Sequence, residues 1–181
     1  MNTGNQRSSA TPFGAATSTT PPGSNSLGKI QQRKDMTAIA VAHHIPYAAQ
    51  ASISHWQDLS EKAARAASVD GPSFLNVLST CQLGWQHEPR QGVNVARLAV
   101  EPRFWPLYEV VDGRYRMTEP RVHVRPIEDW LATQGRFRHL LDPERRQQVR
   151  AIQERVDTDW QNLLDRCAAD AATFGRPEAA A

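Results

Sequence analysis

The sequence predicts an α/β fold with a mostly parallel sheet flanked by helices, together with a β-hairpin and a long C-terminal helix. Helix and strand patterns take turns from Lys34 onward, which is typical of α/β layers. A short apolar run at 74–78 lies between turn-forming residues, which is typical of a strand. Asp112-Gly113 separates two further strand-like segments. With 181 residues, the chain can bury a core without disulfides or a structural metal.

The first half of this pattern begins with Asp35, a suitable N-cap for a short helix that ends near His43 and His44. Residues 45–53 are predicted to form a strand, and a second helix begins at Ser54 or Asp58 and ends before Gly71-Pro72. The apolar run at 74–78, in which Asn76 is the one polar residue, is typical of a parallel strand that is buried on both faces.

The second half starts with turn-forming residues at 81–92 and a helix at 93–100. Asp112-Gly113 separates strands at 107–111 and 114–117, which is a strong hairpin signal. A short helix is predicted at 127–132. A long helix at 143–172 carries its apolar side chains on one face.

Residues 1–28 differ from the rest of the chain. Seventeen of them are Ser, Thr, Gly or Pro, and Arg7 carries the only charge. The composition permits a disordered tail, but a nearly neutral, hydroxyl-rich segment is also typical of a loop that folds around an anionic ligand. We therefore divide the chain into this loop, an α/β domain at 29–118 and a helical extension at 119–181.

Composition excludes several classes of protein. A net charge of +2 does not indicate a nucleic-acid partner, and no apolar stretch approaches the 20 residues of a membrane span. The N-terminus does not have the charge and apolar run of a signal peptide. Two cysteines, Cys81 and Cys167, are too few for a secreted disulfide framework. These features predict a cytoplasmic protein.

Two basic features have both a functional and a structural interpretation. Six arginines between Arg136 and Arg155 could form a nucleic-acid groove, but interleaved acidic residues favour a solvated face with i,i+4 ion pairs. His43 and His44 could bind a metal, but adjacent helical residues point about 100° apart, which favours a surface pair. Hydrolase and nucleotide-binding glycine motifs are absent from the sequence.

Cys81 follows the predicted strand at 74–78. Ligands of open α/β sheets lie at the carboxyl ends of such strands. From spacing alone, a buried structural cysteine is the default interpretation, because no C-x-x-C partner and no ligand-spaced His lie nearby.

Several segments together resemble one family, the thiamine-diphosphate-binding beta subunit of pyruvate:ferredoxin oxidoreductase and related 2-oxoacid:ferredoxin oxidoreductases. They are Asn-Thr-Gly-Asn-Gln-Arg-Ser-Ser-Ala-Thr-Pro at 2–12, Gly-Pro-Ser-Phe at 71–74, Cys-Gln-Leu-Gly-Trp at 81–85, Ala-Arg-Leu-Ala-Val-Glu at 96–101, Trp-Pro-Leu-Tyr-Glu at 105–109 and Gln-Gly-Arg-Phe-Arg-His-Leu at 134–140. The resemblance covers nearly the whole chain and implies a thiamine-diphosphate-binding fold.

The resemblance also implies site residues. Asn2, Thr3, Gly4 and Gln6 match the family segment that holds thiamine diphosphate and Mg²⁺, with Asn2 also a catalytic residue. Cys81 matches the last cysteine ligand of a proximal [4Fe-4S] cluster. The implied reaction decarboxylates a 2-oxoacid, transfers the acyl group to coenzyme A and passes electrons to ferredoxin, with alpha, gamma and delta subunits as further partners.

Departures from the family indicate a C-terminal portion of such a subunit. The family's Gly-Asp-Gly motif and its other three cluster cysteines are absent from this sequence. The chain could therefore come from a split gene, a truncated gene or an internal start codon, and we expect it to be inactive alone. The alternative is a catalytically inactive subunit-interaction module.

Overall fold

The computed structural model describes residues 4–119 and 124–174. Within these ranges the helices and strands follow one another in nearly the predicted places. In chain order they are α1 (Met36–Val41), β1 (Tyr47–Ser52), α2 (Trp56–Ser68), β2 (Ser73–Leu78), α3 (Gln82–Trp85), α4 (Gly92–Val100), β3 (Tyr108–Val111), β4 (Arg114–Met117), α5 (Ile127–Ala132) and α6 (Arg146–Phe174). Short 3-10 helices occupy Pro89–Gln91, Gly135–Leu141 and Pro143–Arg145.

The described strands form one mixed sheet in the order β2-β1-β3-β4. β1 and β2 are parallel, with Tyr47 opposite Ser73, whereas β3 runs antiparallel to both β1 and β4. Asp112 and Gly113 both have positive φ, as in a two-residue hairpin turn. The predicted α/β class is therefore confirmed, and the parallel part of the sheet is the β1–β2 pair.

The strand that is buried on both faces is β1. Every β1 residue is buried, because neighbouring strands flank it on both sides and helices α1, α2 and α4 pack against it. The prediction of full burial for residues 74–78 is wrong: β2 is an edge strand, and its Val77 is 38% exposed. An apolar run predicts a strand, but the order of strands decides which one lies in the centre.

The main apolar core lies beside the sheet, among α4, α5, α6 and the Gly135–Leu141 3-10 helix. Three tryptophans, Trp85, Trp105 and Trp130, are its largest apolar side chains. The indole nitrogen of Trp105 donates a hydrogen bond to the carbonyl of Ala51 at 2.8 Å, which joins this core to β1.

A buried carboxylate, Glu109 on β3, joins the sheet to α2. It accepts hydrogen bonds from the Tyr47 hydroxyl at 2.8 Å, from Arg65 Nη1 at 2.8 Å and from Arg116 Nε at 2.8 Å. These donors belong to β1, α2 and β4, respectively. Burial by itself raises the pKa of Glu109, but these bonds more than offset that effect and hold its pKa below the usual value.

Two segments differ in detail from the prediction. Residues 81–92, expected to be a turn, contain the one-turn helix α3, which ends at Gln86 with a φ of 58°. The long C-terminal helix begins as the 3-10 helix Pro143–Arg145, where Asp142 accepts a hydrogen bond from the Glu144 backbone nitrogen at 3.0 Å. In the described part of the chain, no helix is long and apolar enough to cross a bilayer.

Candidate cofactor-facing site

The N-terminal loop contacts the turn that carries Cys81. Gly4 is buried and has a φ of +92°, and a Cβ at this position would overlap the Gly84 carbonyl oxygen and lie 2.7 Å from its carbon. Only glycine fits such a close approach between two backbones without strain. Gly4 of the proposed cofactor segment therefore lies directly against α3.

A third segment completes this contact. The Gly135 backbone nitrogen donates to the Gln86 carbonyl at 3.0 Å, and the Ala16 nitrogen donates to the Arg136 carbonyl at 2.9 Å. The structure thus brings together three of the segments that resemble the oxidoreductase family, at 2–12, 81–85 and 134–140. Each of these segments is about 50 to 70 residues from the next one in the sequence.

The described part of the N-terminal loop, residues 4–28, forms no helix or strand, as predicted, but it is folded against the core. Lys29 is buried, and its ammonium group donates to the carbonyls of Thr11 at 2.5 Å and Ser9 at 3.3 Å. Burial lowers the pKa of Lys29, and the positive charges of Arg7 and Arg33 lower it further. The His139 Nε2–H donates to the Leu27 carbonyl at 3.0 Å. These bonds give the loop a defined conformation.

Cys81 is the N-cap residue of α3 and has a free, partly buried thiol. It packs against the main apolar core, and its carbonyl accepts a hydrogen bond from the Trp85 nitrogen at 2.9 Å. It follows β2, so its predicted place just beyond the carboxyl end of a parallel strand is confirmed. The other free thiol, Cys167, packs against a separate cluster that includes Tyr108, Val110 and Leu163.

Arg136 packs against Trp85, the last residue of α3, and is only 1% exposed. Its guanidinium carbon is 3.8 Å from the centroid of the Trp85 ring, and its Nε donates to Gln134 Oε1 at 2.9 Å. Nη1 and Nη2 have no hydrogen-bond partner among the described residues. Burial lowers the pKa of Arg136, whereas the negative charge of a Cys81 thiolate raises it.

The sequence interpretation missed Arg136 because it counted this residue as one of the solvated arginines at 136–155. Part of that interpretation agrees with the structure, since Arg155 forms an exposed i,i+4 ion pair with Asp159 at 2.9 Å. The signal that could have separated Arg136 was its place between Gly135 and Phe137, inside a segment that resembles the family.

The remaining predicted site residues are placed as follows. Gln6 is exposed and lines an open depression with Arg7, Thr19 and Thr20. Asn2 and Thr3 lie outside the described residues, so their predicted roles stay predictions. His43 and His44 are both exposed at the end of α1.

Within residues 4–119 and 124–174, no group of three or more His, Cys, Asp or Glu side chains could hold a metal ion. Cys81 is therefore without further cluster ligands in the described chain. A [4Fe-4S] cluster normally takes four thiolates, so three would come from elsewhere.

Comparison with curated proteins identifies relatives of this chain. It is 46% identical over 165 residues to pyruvate synthase subunit PorB of Thermotoga maritima and 44% identical over 163 residues to PorB of Methanothermobacter thermautotrophicus. It is 39% identical over 165 residues to ketoisovalerate oxidoreductase subunit VorB of Pyrococcus horikoshii. These alignments cover 91%, 90% and 90% of the chain, but 51%, 55% and 52% of the relatives. No protein-family model matches the chain.

These relatives are named as subunits of oxidoreductases, and each aligns with about 90% of this chain. The chain belongs to the family of PorB and VorB subunits, which are the beta subunits of 2-oxoacid:ferredoxin oxidoreductases, as its motifs predicted. It spans about half the length of the curated relatives it matches.

Proposed function

We propose that this chain is the C-terminal portion of the beta subunit of a 2-oxoacid:ferredoxin oxidoreductase. In the complete enzyme, a 2-oxoacid is decarboxylated, its acyl group is transferred to coenzyme A, and two electrons pass through iron–sulfur clusters to ferredoxin. The names of the relatives support a 2-oxoacid substrate, because both pyruvate and ketoisovalerate belong to this class.

The contact between Gly4 and Gly84 is the observation that carries this proposal. It joins the segment that resembles the thiamine-diphosphate loop to the turn that resembles the proximal cluster site. Electron transfer from an organic cofactor to a cluster requires the two to be neighbours.

Asn2, Thr3, Gly4 and Gln6 would hold the diphosphate of thiamine diphosphate and its Mg²⁺. When bound, this cofactor supplies the carbanion stabilisation that decarboxylation needs. Glycine at position 4 lets the backbone approach a phosphate closely, and uncharged amide and hydroxyl groups suit a polyanion that is already paired with its metal. Further metal ligands would come from the part of the subunit that is not in this chain.

Cys81 would supply one thiolate to a [4Fe-4S] cluster. This proposal rests on the family resemblance of the turn and on the free, partly buried thiol of Cys81. The described residues supply this one thiolate, so the other three would come from outside them. Leu83, in the same turn, is 81% exposed, which supports cover by another part of the complex. The alpha, gamma and delta subunits and ferredoxin are the proposed partners.

The test is cluster assembly in the complex. The chain would be co-expressed with the other subunits and with the region that corresponds to the other half of its relatives. We expect visible absorption and electron paramagnetic resonance to show the loss of one cluster in Cys81→Ala, because a thiolate ligand is missing. Cys167→Ala is the matched control and should retain every cluster.

Retention of all clusters in Cys81→Ala would contradict the proposal. It would favour the alternative of an inactive subunit-interaction module, in which Cys81 is a small core side chain. In that case its removal would lower stability by about 1–2 kcal/mol and leave the spectra unchanged.

A further inference from the structure

A cleft lined by arginines and aromatic rings lies between α6 and the strands β1, β3 and β4. Its volume is about 370 Å³, which is enough for a small organic molecule, and its lining includes neither Gly4 nor Cys81. Two polar lining residues, Gln50 and Tyr108, are only 2% and 3% exposed. The cleft therefore reaches into the molecule and is distinct from the candidate cofactor-facing site.

Two half-buried arginines of the cleft are held by ring faces instead of carboxylates. The guanidinium carbon of Arg103 is 4.8 Å from the centroid of Trp160. That of Arg33 is 4.8 Å from the centroid of Trp105. Arg103 Nε is buried without a hydrogen-bond partner among the described residues, and Arg33 Nη1 donates to the Lys34 carbonyl at a distance of 3.5 Å. A guanidinium that stacks on a ring keeps its N–H edge available for two parallel hydrogen bonds to a carboxylate or a phosphate.

A third arginine of the cleft, Arg166 on α6, is exposed and has the same arrangement. Its guanidinium carbon is 5.5 Å from the centroid of Tyr115, and its Nη1 lies 3.5 Å from the Tyr115 hydroxyl. In the described part of the chain, Arg33, Arg103 and Arg166 form no ion pair. All three are thus positioned by aromatic rings, with no carboxylate to neutralise them.

The two carboxylates that line the cleft are already engaged. Asp159 pairs with Arg155 at 2.9 Å, and Asp35 is the N-cap of α1, where it accepts a hydrogen bond from the Ala38 backbone nitrogen at 2.9 Å. Burial lowers the pKa of Arg33, and the charges of Asp35 and Asp159 oppose this effect only in part. With four arginines and two aspartates, the lining carries a net charge of +2.

Charge and ring surface together indicate a class of ligand. A phosphate monoester carries a charge of about −1.5 to −2 at neutral pH, which balances the lining, whereas one carboxylate carries half of that. Its three oxygens can accept hydrogen bonds from more than one arginine. The half-buried rings of Phe13 and Phe104 also line the cleft and provide apolar surface for a planar base.

We propose that this cleft binds a nucleoside monophosphate. The phosphate is held by the arginines of the cleft, above all by Arg103, whose Nε has no partner among the described residues, and the base packs against the aromatic rings. This binding site goes beyond the proposed function and does not depend on it.

The test is isothermal titration of the full 181-residue chain with AMP, and separately with adenosine and with inorganic phosphate. AMP should bind at least tenfold more tightly than either of the other two, because it alone offers both the ring and the phosphate. Arg103→Met and Arg166→Met should each weaken AMP binding about tenfold or more, since each removes charge-assisted hydrogen bonds.

Arg150→Met is the matched control, because Arg150 is an exposed arginine of α6 that does not line the cleft. It should leave the affinity for AMP unchanged. Circular dichroism checks that each variant is folded. If Arg103→Met does not fold, Arg166→Met decides the question, because Arg166 is exposed and its removal leaves the core intact.

Four outcomes would overturn the proposal. The first is no saturable binding of AMP at millimolar concentration. The second is binding of adenosine or of inorganic phosphate as tight as that of AMP, and the third is an equal loss of affinity in Arg150→Met. The fourth is displacement of AMP by a short poly-glutamate peptide that binds more tightly, which would identify the cleft as a docking surface for an acidic polypeptide.

Discussion

Gly4 has a φ of +92°, and the backbone of Gly84 fills the space that a side chain would need. A residue with a Cβ would be strained both by its own dihedral angle and by this overlap. Because the family resemblance places Gly4 at the thiamine-diphosphate loop, the local geometry and the proposed chemistry require the same amino acid.

Gly4→Ala should detach residues 4–7 from α3. The strain at a non-glycine residue with positive φ is about 1–3 kcal/mol, and the segment can relieve it by moving away from Gly84. Hydrogen exchange should show faster exchange at the Arg7 amide, which donates to Thr19 Oγ1 at 2.9 Å.

Gly23→Ala is the control, because no atom lies within 4 Å of the position of its Cβ. This substitution should leave exchange in the loop unchanged. Equal protection of the Arg7 amide in the wild type and in Gly4→Ala would show that the contact with Gly84 does not hold the loop.

At the scale of elements, Glu109 shows how one carboxylate positions three neighbours. The hydrogen bonds from Tyr47, Arg65 and Arg116 connect β1, α2 and β4 to β3. β1 leads into α2, and β2 leads into the Cys81 turn, so the ion network stabilises the part of the sheet that supports the candidate site.

Acid should weaken this network. The pKa of Glu109 lies below that of an exposed glutamate, about 4.3, because the hydrogen bonds offset the effect of burial. Its contribution to stability is therefore fully present above pH 4.3 and is lost as the pH falls through the lower folded-state value. Urea unfolding of the wild type should show this loss.

Glu109→Gln removes the titrating group. It should lower the free energy of unfolding at pH 7 by about 1–2 kcal/mol, because the charge-assisted hydrogen bonds are lost while both arginines stay partly exposed to water. The difference from the wild type should shrink in acid. Glu61→Gln is the control, because Glu61 is exposed and its pair with Arg65 is 3.7 Å long. An equal difference at pH 7 and pH 3 would contradict the assignment.

At the scale of the whole molecule, the chain combines a folded core with a candidate cofactor-facing site. Trp85, Trp105 and Trp130 anchor an extensive apolar core, yet the described residues place no metal-binding group beside Gly4 and Cys81. The family similarity covers about half of each relative. The remaining ligands are therefore proposed to lie in the other half of the subunit.

Alone, the chain should bind thiamine diphosphate weakly or not at all. The proposed residues at 2–6 provide amides and a hydroxyl, but no carboxylate to hold Mg²⁺ against the diphosphate. Isothermal titration with and without Mg²⁺ measures this, and the co-expressed complex is the positive control. Micromolar or tighter binding to the isolated chain would show that residues outside this chain are not the main contacts.

Local pattern alone determined most of the elements. The Asp-Gly turn specified the hairpin, and the helix Ile127–Ala132 has the predicted bounds, because turn chemistry and helical periodicity depend on neighbouring residues. The motifs at 2–12, 81–85 and 134–140 also predicted the family, because each is short and contiguous.

Tertiary structure decided which of these residues are buried and which segments meet. The apolar run at 74–78 predicted a central strand, but β1 takes that place because strands pair with it on both sides. Arg136 belongs to a run of arginines in the sequence and becomes buried only when Trp85, Trp130 and Phe137 pack around it. The burial of Arg136 and the contact of Gly4 with Gly84 both depend on residues that are far apart in the chain. No local pattern in the sequence could therefore show them.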